Sequence, residues 1–309
     1  MNAKNSGKSI VTLVVAVALV ASLVFVAWIF YFKPKMADIL FEPVFINDVK
    51  KVQLVSEMRV NLNASVEAEK SAVLADTDEA SRAYADQALS LSTAVEKARS
   101  DLGVLIEAEK MGREVDLFRE FSACWEKFRQ IDQELLPLSV LNTNLKAYEL
   151  SFDSAQKAVN QLEASLYAVM NSSDGNDKSC KVTRLAMRTL VSSLKILALQ
   201  SPHIAESRQE KMDEIETTMR TQNSLVNESL DALSFLMNPK GKPLIDAAQA
   251  TYAEFWRINM EVMKLSHENS NVRSLALSLG QKRNTTVQCQ DALAALETAI
   301  QSKVYKATR

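Results

Sequence analysis

Few residues of this chain have the chemistry of a site. Only two histidines, His203 and His267, occur in 309 residues. Neither has an i,i+4 partner or a short-range ligand spacing, so the sequence predicts no metal. The three cysteines, Cys124, Cys180 and Cys289, show no CxxC spacing, which removes zinc-ribbon, thioredoxin-like and c-type haem readings. Cys124 and Cys289 fall in apolar stripes and read as small core hydrophobes, while Cys180 reads as the thiol available to react or to pair between chains. Met212, Met219 and Met237 share a helix face, as core-filling methionines do. The sequence contains no glycine-rich phosphate loop, nucleophile elbow or ExxH pair, and its carboxylates scatter along outer helix faces where i,i+4 pairing accounts for them. Neither an enzyme nor a cofactor is expected. Two sets of polar residues remain: Asn142, Asn144, Asn269 and Asn271 at matching turns, and Arg59 and Arg188 at matching places on two helices. The asparagines read either as ligand contacts or as helix caps, and the arginines either as solvated helix-face charges or as bidentate partners of an anionic ligand.

The elements that must position these residues are helices. Gly 6 and Pro 6 leave few turns for strands, and the rest is rich in residues that cost little in a helix interior. A net charge of −2 supplies no basic excess for a phosphate backbone, which argues against a nucleic-acid partner.

From Ile10 to Phe32 no residue is charged, and at about 1.5 Å per residue that stretch outspans a hydrocarbon core of about 30 Å. It predicts a retained transmembrane helix over 10–32. The preceding tail, 1–9, carries Lys4 and Lys8, while Trp28 and Tyr31 mark an interfacial belt at the far end. The expected topology is single-pass in the inner (cytoplasmic) membrane, with the amino terminus inside and the bulk of the chain periplasmic or extracellular.

Beyond the anchor, turn signals recur at nearly even spacing. They are Asp76-Thr77-Asp78-Glu79, Gly112, Asn142-Thr143-Asn144, the polar linker Asn171 to Asp177, Ser201-Pro202, Asn238 to Pro243, and Asn269-Ser270-Asn271. Between them apolar residues keep a 3,4 spacing, such as Phe118, Phe121, Trp125, Phe128, Leu135 and Leu138 with Asp132 interrupting, or Phe152, Ala155, Val159, Leu162, Leu166 and Val169. Shifting residues 122–166 by 127 positions without a gap gives about twelve identities, among them Phe128 with Phe255, Asn142 with Asn269, Asn144 with Asn271 and Leu150-Ser151 with Leu277-Ser278. The chain is read as duplicated. The expected architecture is all-α, an N-terminal transmembrane helix followed by two tandem up-down-up-down four-helix bundles, residues 44–173 and 178–306.

The stretch Phe121-Ser122-Ala123-Cys124-Trp125-Glu126-Lys127-Phe128, the turn Leu138 to Asn144 with Ala147, and the heptads from Ala155 to Leu166 resemble the four-helix-bundle sensor domain of methyl-accepting chemotaxis receptors. The resemblance covers residues 44–170 and, through the repeat, 180–306. It implies a periplasmic module that binds a small solute or a solute-binding protein and signals through a second membrane span. Here the sequence reaches Arg309 where that span would begin, so the expectation is a module that signals through its single anchor or a partner such as a receptor or kinase, with a second copy of the chain as a further partner. The competing expectation is a membrane-tethered helical scaffold that holds envelope proteins and binds no small molecule.

Overall fold

The computed structural model describes residues 43–109, 112–173 and 178–307. The tail at 1–9, the span expected at 10–32 and the linker residues 174–177 lie outside them, and among the described residues no helix is long and apolar enough to cross a membrane. The described chain is helical throughout, without strands. Its elements are α1 (Pro43–Leu74), α2 (Asp78–Glu109), α3 (Gly112–Leu141), α4 (Thr143–Glu149), a first π-turn (Leu150–Ala155), α5 (Gln156–Ser172), α6 (Ser179–Ala205), α7 (Gln209–Leu236), α8 (Lys242–Glu268), α9 (Ser270–Leu277), a second π-turn (Ser278–Lys282) and α10 (Arg283–Ala307).

Local chemistry accounts for the ends of these helices. Thr77 caps α2, its Oγ1 accepting the Ala80 N–H at 3.2 Å, and Asp78 and Glu79 put negative charge on the positive end of the helix dipole. Within the turn signal Asp76-Thr77-Asp78-Glu79, the cap is thus Thr77. Before α8, the Asn238 side chain accepts the Lys240 and Gly241 N–H groups at 3.0 and 2.9 Å and turns the chain. Ser201-Pro202 does not start a helix: α6 runs on to Ala205 and the extended break comes at Glu206 to Arg208. So close to the end of α6, a proline forfeits one backbone bond without ending the helix.

The chain divides into two compact units. The described part of the first comprises 43–59, 96–109, 112–120 and 291–307. Leu102, Ile106, Leu296 and Ile300 are buried there beside Met58, and the Phe118 ring lies 3.1 Å from where a Cβ on Gly103 would sit. Lys51 is fully buried among carboxylates, 3.2 Å from Asp48 and 3.0 Å from Glu114.

The second unit comprises 60–95 and the described residues of 121–290. In it α5 packs on α6 and α8, α6 on α7 and α8, and α7 on α8. These helices share a core of Leu162, Leu166, Val169, Ala186, Ile196, Met219, Val226, Phe255 and Val262. A separate cluster joins Ala72 of α1, Ala88 of α2 and Leu135 of α3. On α3, Phe121, Trp125 and Phe128 are fully or almost fully buried, with Trp125 stacked 4.9 Å from Phe128. Burying each such ring contributes about 1.5–3 kcal/mol. The start of α10 meets this group: Cys289 is disulfide-bonded to Cys124, and the Gln290 side chain donates to Asn63 at 2.7 Å. These contacts cross the boundary expected between residues 44–173 and 178–306.

Two sequence expectations are corrected by this packing. Cys124 and Cys289 are not merely small core hydrophobes but a bonded pair with Cα atoms 5.5 Å apart, and Cys180 is exposed and free. Phe152, placed in the buried stripe by heptad spacing, is 73% exposed. It lies in the first π-turn, where one extra residue per turn advances the helical phase and rotates the side chain outward.

Alkylation of the native, unreduced chain is therefore expected to modify Cys180 alone, with Cys124 and Cys289 joining only after reduction and unfolding. Cys289→Ser should cost about 2–5 kcal/mol in denaturant unfolding. Three reactive thiols in the native chain would contradict the pairing.

Candidate functional site

The duplicated asparagine turns meet each other. Asn142 and Asn269 adopt left-handed backbone, with φ of 49° and 51°, a conformation that asparagine tolerates better than most residues. Neither side chain caps its own helix. Instead each helix start is capped by the other copy. The Thr143 N–H donates to Ser270 Oγ at 3.0 Å and the Ser270 N–H to Thr143 Oγ1 at 3.0 Å. The Asn144 N–H donates to Asn271 Oδ1 at 3.1 Å and the Asn271 N–H to Asn144 Oδ1 at 3.2 Å. Asn144 and Asn271 also donate side-chain bonds to Asn269 Oδ1 and Asn142 Oδ1 at 2.8 and 2.9 Å. The amide nitrogens of Asn142 and Asn269 reach Ser81 Oγ and the Glu206 carbonyl. The polar atoms of these four candidates are thus committed to the fold, and they join α4 to α9.

The matched arginines each pair with a carboxylate. Arg59, in the first unit, lies 2.7 Å from Glu297; Arg188, in the second, lies 3.5 Å from Glu228, and both side chains are nearly half exposed. Neither lines the cleft at Gly112–Glu114 and Thr298–Lys303 in the first unit or the cleft between Asn223 and Trp256 in the second.

Two charged clusters in the second unit had no sequence signal beyond Asp132 interrupting a stripe. In the first, Lys282 of the second π-turn is 1% exposed, pairs with Asp132 and places its Nζ 2.9 Å from the centre of the Phe128 ring. Burial pushes the Lys282 ammonium down to about 8 against the pull of Asp132, and pushes the Asp132 carboxyl up. Glu69 is buried beside them with both carboxyl oxygens unpartnered, and burial raises its pKa toward the neutral form. The repeat equates Asp132 with Asn259 and Lys282 with Ala155. At that position Asn259 accepts a bond from Gln200 at 2.9 Å, so Asp132 meets a cation from the other repeat where its equivalent meets a neutral amide.

In the second cluster, His203 of α6 and His267 of α8 both direct Nε2 at Oε1 of Glu216 on α7, the His203 distance being 3.3 Å. Arg220 donates to the other Glu216 oxygen at 3.0 Å. Burial works to raise the Glu216 carboxyl, but hydrogen bonds from Arg220 and His267 outweigh it and hold the group below its ordinary value. Burial also pushes the fully enclosed His203 down, against the attraction of Glu216. The sequence hid this grouping because its three members sit on three different helices.

A cleft of about 290 Å³ opens between α7 and α8. Asn223, Asn227 and Asp231 line it from α7, and Gln249, Tyr252 and Trp256 from α8. The Tyr252 hydroxyl donates to Asn223 Oδ1 at 2.7 Å, and burial raises its pKa. The aromatic rings supply flat apolar walls and the amides and carboxylate supply directed polar groups, the usual composition of a small-solute site.

The buried lysine gives a pH signature. Below pH 8 the folded and unfolded chains both hold the Lys282 proton and the cost of the buried charge is complete. Between 8 and 10.5 only the unfolded chain still binds it, so stability rises with pH. Urea unfolding from about pH 7 to about pH 9.5 should show that rise. Asp132→Asn with Lys282→Ala, which installs the residues of the other repeat, should remove it. A rise that persists unchanged in the double variant contradicts the assignment.

No family model matches this chain, and no curated protein matches it.

Proposed function

We propose that this chain is a membrane-anchored, extracytoplasmic sensor-like module that takes a small solute into the cleft between α7 and α8 and passes the binding event to a partner protein. The observation that carries the reading is that cleft, of ligand size and lined by Tyr252, Trp256, Asp231 and three side-chain amides. Asp231 and the aromatic faces favour a compact solute bearing an ammonium group, since ring faces attract cations. The resemblance of Phe121–Phe128 and the asparagine turns to chemoreceptor input domains points the same way. The Cys124–Cys289 bond fits an oxidising compartment outside the cytoplasm. In this reading α5, α6, α7 and α8 act as one four-helix bundle.

The scaffold reading has its own support. Phe152 and Leu279, equivalent in the repeat, are 73% and 59% exposed on the two π-turns. Paired apolar knobs of that kind suit protein contacts.

A thermal-shift screen of amino acids, organic acids and polyamines on the purified full chain separates the two. A solute at 100 times its Kd should stabilise the chain by about 2.7 kcal/mol. The effect should be lost in Trp256→Ala and Asp231→Asn and kept in Arg59→Ala and Arg188→Ala. A silent screen, together with in-cell crosslinking through Phe152 or Leu279 to an envelope protein, would replace the sensor with the scaffold.

A further inference from the structure

The chain has two histidines, and its fold brings both to one carboxylate oxygen. We propose that His203, His267 and Glu216 form a binding site for a divalent transition-metal ion of the zinc class. One donor atom from each residue lies within 4.8 Å of the other two. The 3.3 Å from His203 Nε2 to Glu216 Oε1 equals the edge of a tetrahedron, about 3.3 Å for bonds of about 2.0–2.1 Å, while His267 and Glu216 touch directly and would part to admit an ion. Two imidazoles and a carboxylate are a donor set that zinc accepts while keeping a fourth position open.

The surroundings favour a cation over a structural hydrogen-bond cluster. Arg220 occupies the second Glu216 oxygen, so Oε1 alone is left to converge with the imidazoles. The Gln209 amide, 3.3 Å from His267 Nδ1, steadies the second ring. The His267 side chain is 33% exposed, which opens one side of the cluster to an entering ion and to a fourth ligand. The site stands apart from the α7–α8 cleft and does not rest on the sensor reading.

The test uses untagged full chain, freed of metal by chelator dialysis and titrated with Zn²⁺ in competition with a chromophoric chelator, and with Co²⁺ for its visible spectrum. The expected result is one Zn²⁺ per chain and a Co²⁺ spectrum of a four- or five-coordinate nitrogen-containing site. His267→Gln and Glu216→Gln, each checked for an unchanged helical circular dichroism spectrum, should weaken binding beyond the roughly 10–100-fold that outer-shell changes cost. Trp256→Ala should bind Zn²⁺ as the parent does, which separates failure of the cleft from failure of this site. Absence of saturable Zn²⁺ binding, or binding unchanged in both His267→Gln and Glu216→Gln, overturns the proposal.

Discussion

A helix that starts inside a protein exposes backbone N–H groups that its own turns cannot satisfy, and burying them unpaired costs on the order of 1–3 kcal/mol each. Both α4 and α9 start this way, directly after a left-handed asparagine whose side chain points elsewhere. Duplication supplies the solution, because each copy carries a hydroxyl and an amide at the positions where the other has its orphan donors. Thr143 and Ser270 exchange one pair of bonds and Asn144 and Asn271 another. Neither start is satisfied without its counterpart, and this requirement holds α3–α4 and α8–α9 in register at their turns.

Around this symmetric junction the two copies have diverged in chemistry more than in backbone. Both have a π-turn at the equivalent place, Leu150–Ala155 and Ser278–Lys282, and both turn a large apolar side chain outward there. Asp132 and Glu69 of the first copy enclose Lys282 of the second, whereas the equivalent Asn259 bonds to Gln200 of its own copy and Ala155 stands where the second copy has Lys282. A buried ion pair contributes little net stability, and breaking one partner is expensive. The charged pair is therefore the less tolerant of change. The histidine cluster and the aromatic cleft both involve α7 and α8, and the cluster lies at the junction end of α8, with His267 two residues before Asn269.

Much of the helical layout was legible because turn residues act locally. Asn142, Asn238 and Asn269 each mark a break through backbone freedom or a side-chain bond to the adjacent chain. Ser201-Pro202 misled for a local reason too, since proline near a helix end costs one bond and need not end the helix. Phe152 was placed inside because heptad counting assumes an unbroken α-helical phase, which the π-turn shifts. The Cys124–Cys289 bond and the Lys282–Asp132 pair were out of reach because both depend on α10 returning to α3, a long-range pairing that no local spacing encodes. The asparagines stand at matched turns of the sequence, and in the fold they bond to each other. His203 and His267 looked isolated because sequence spacing registers only ligands that share one helix.

The central claim is that the two copies cap each other's helices, and amide hydrogen exchange addresses it directly. First-turn N–H groups of ordinary surface helices exchange quickly because water is their partner. The account predicts that the amides of Thr143, Asn144, Ser270 and Asn271 exchange as slowly as those of Leu162 and Phe255 in the core. Fast exchange at these four positions, at the rate of an exposed helix start, would contradict it.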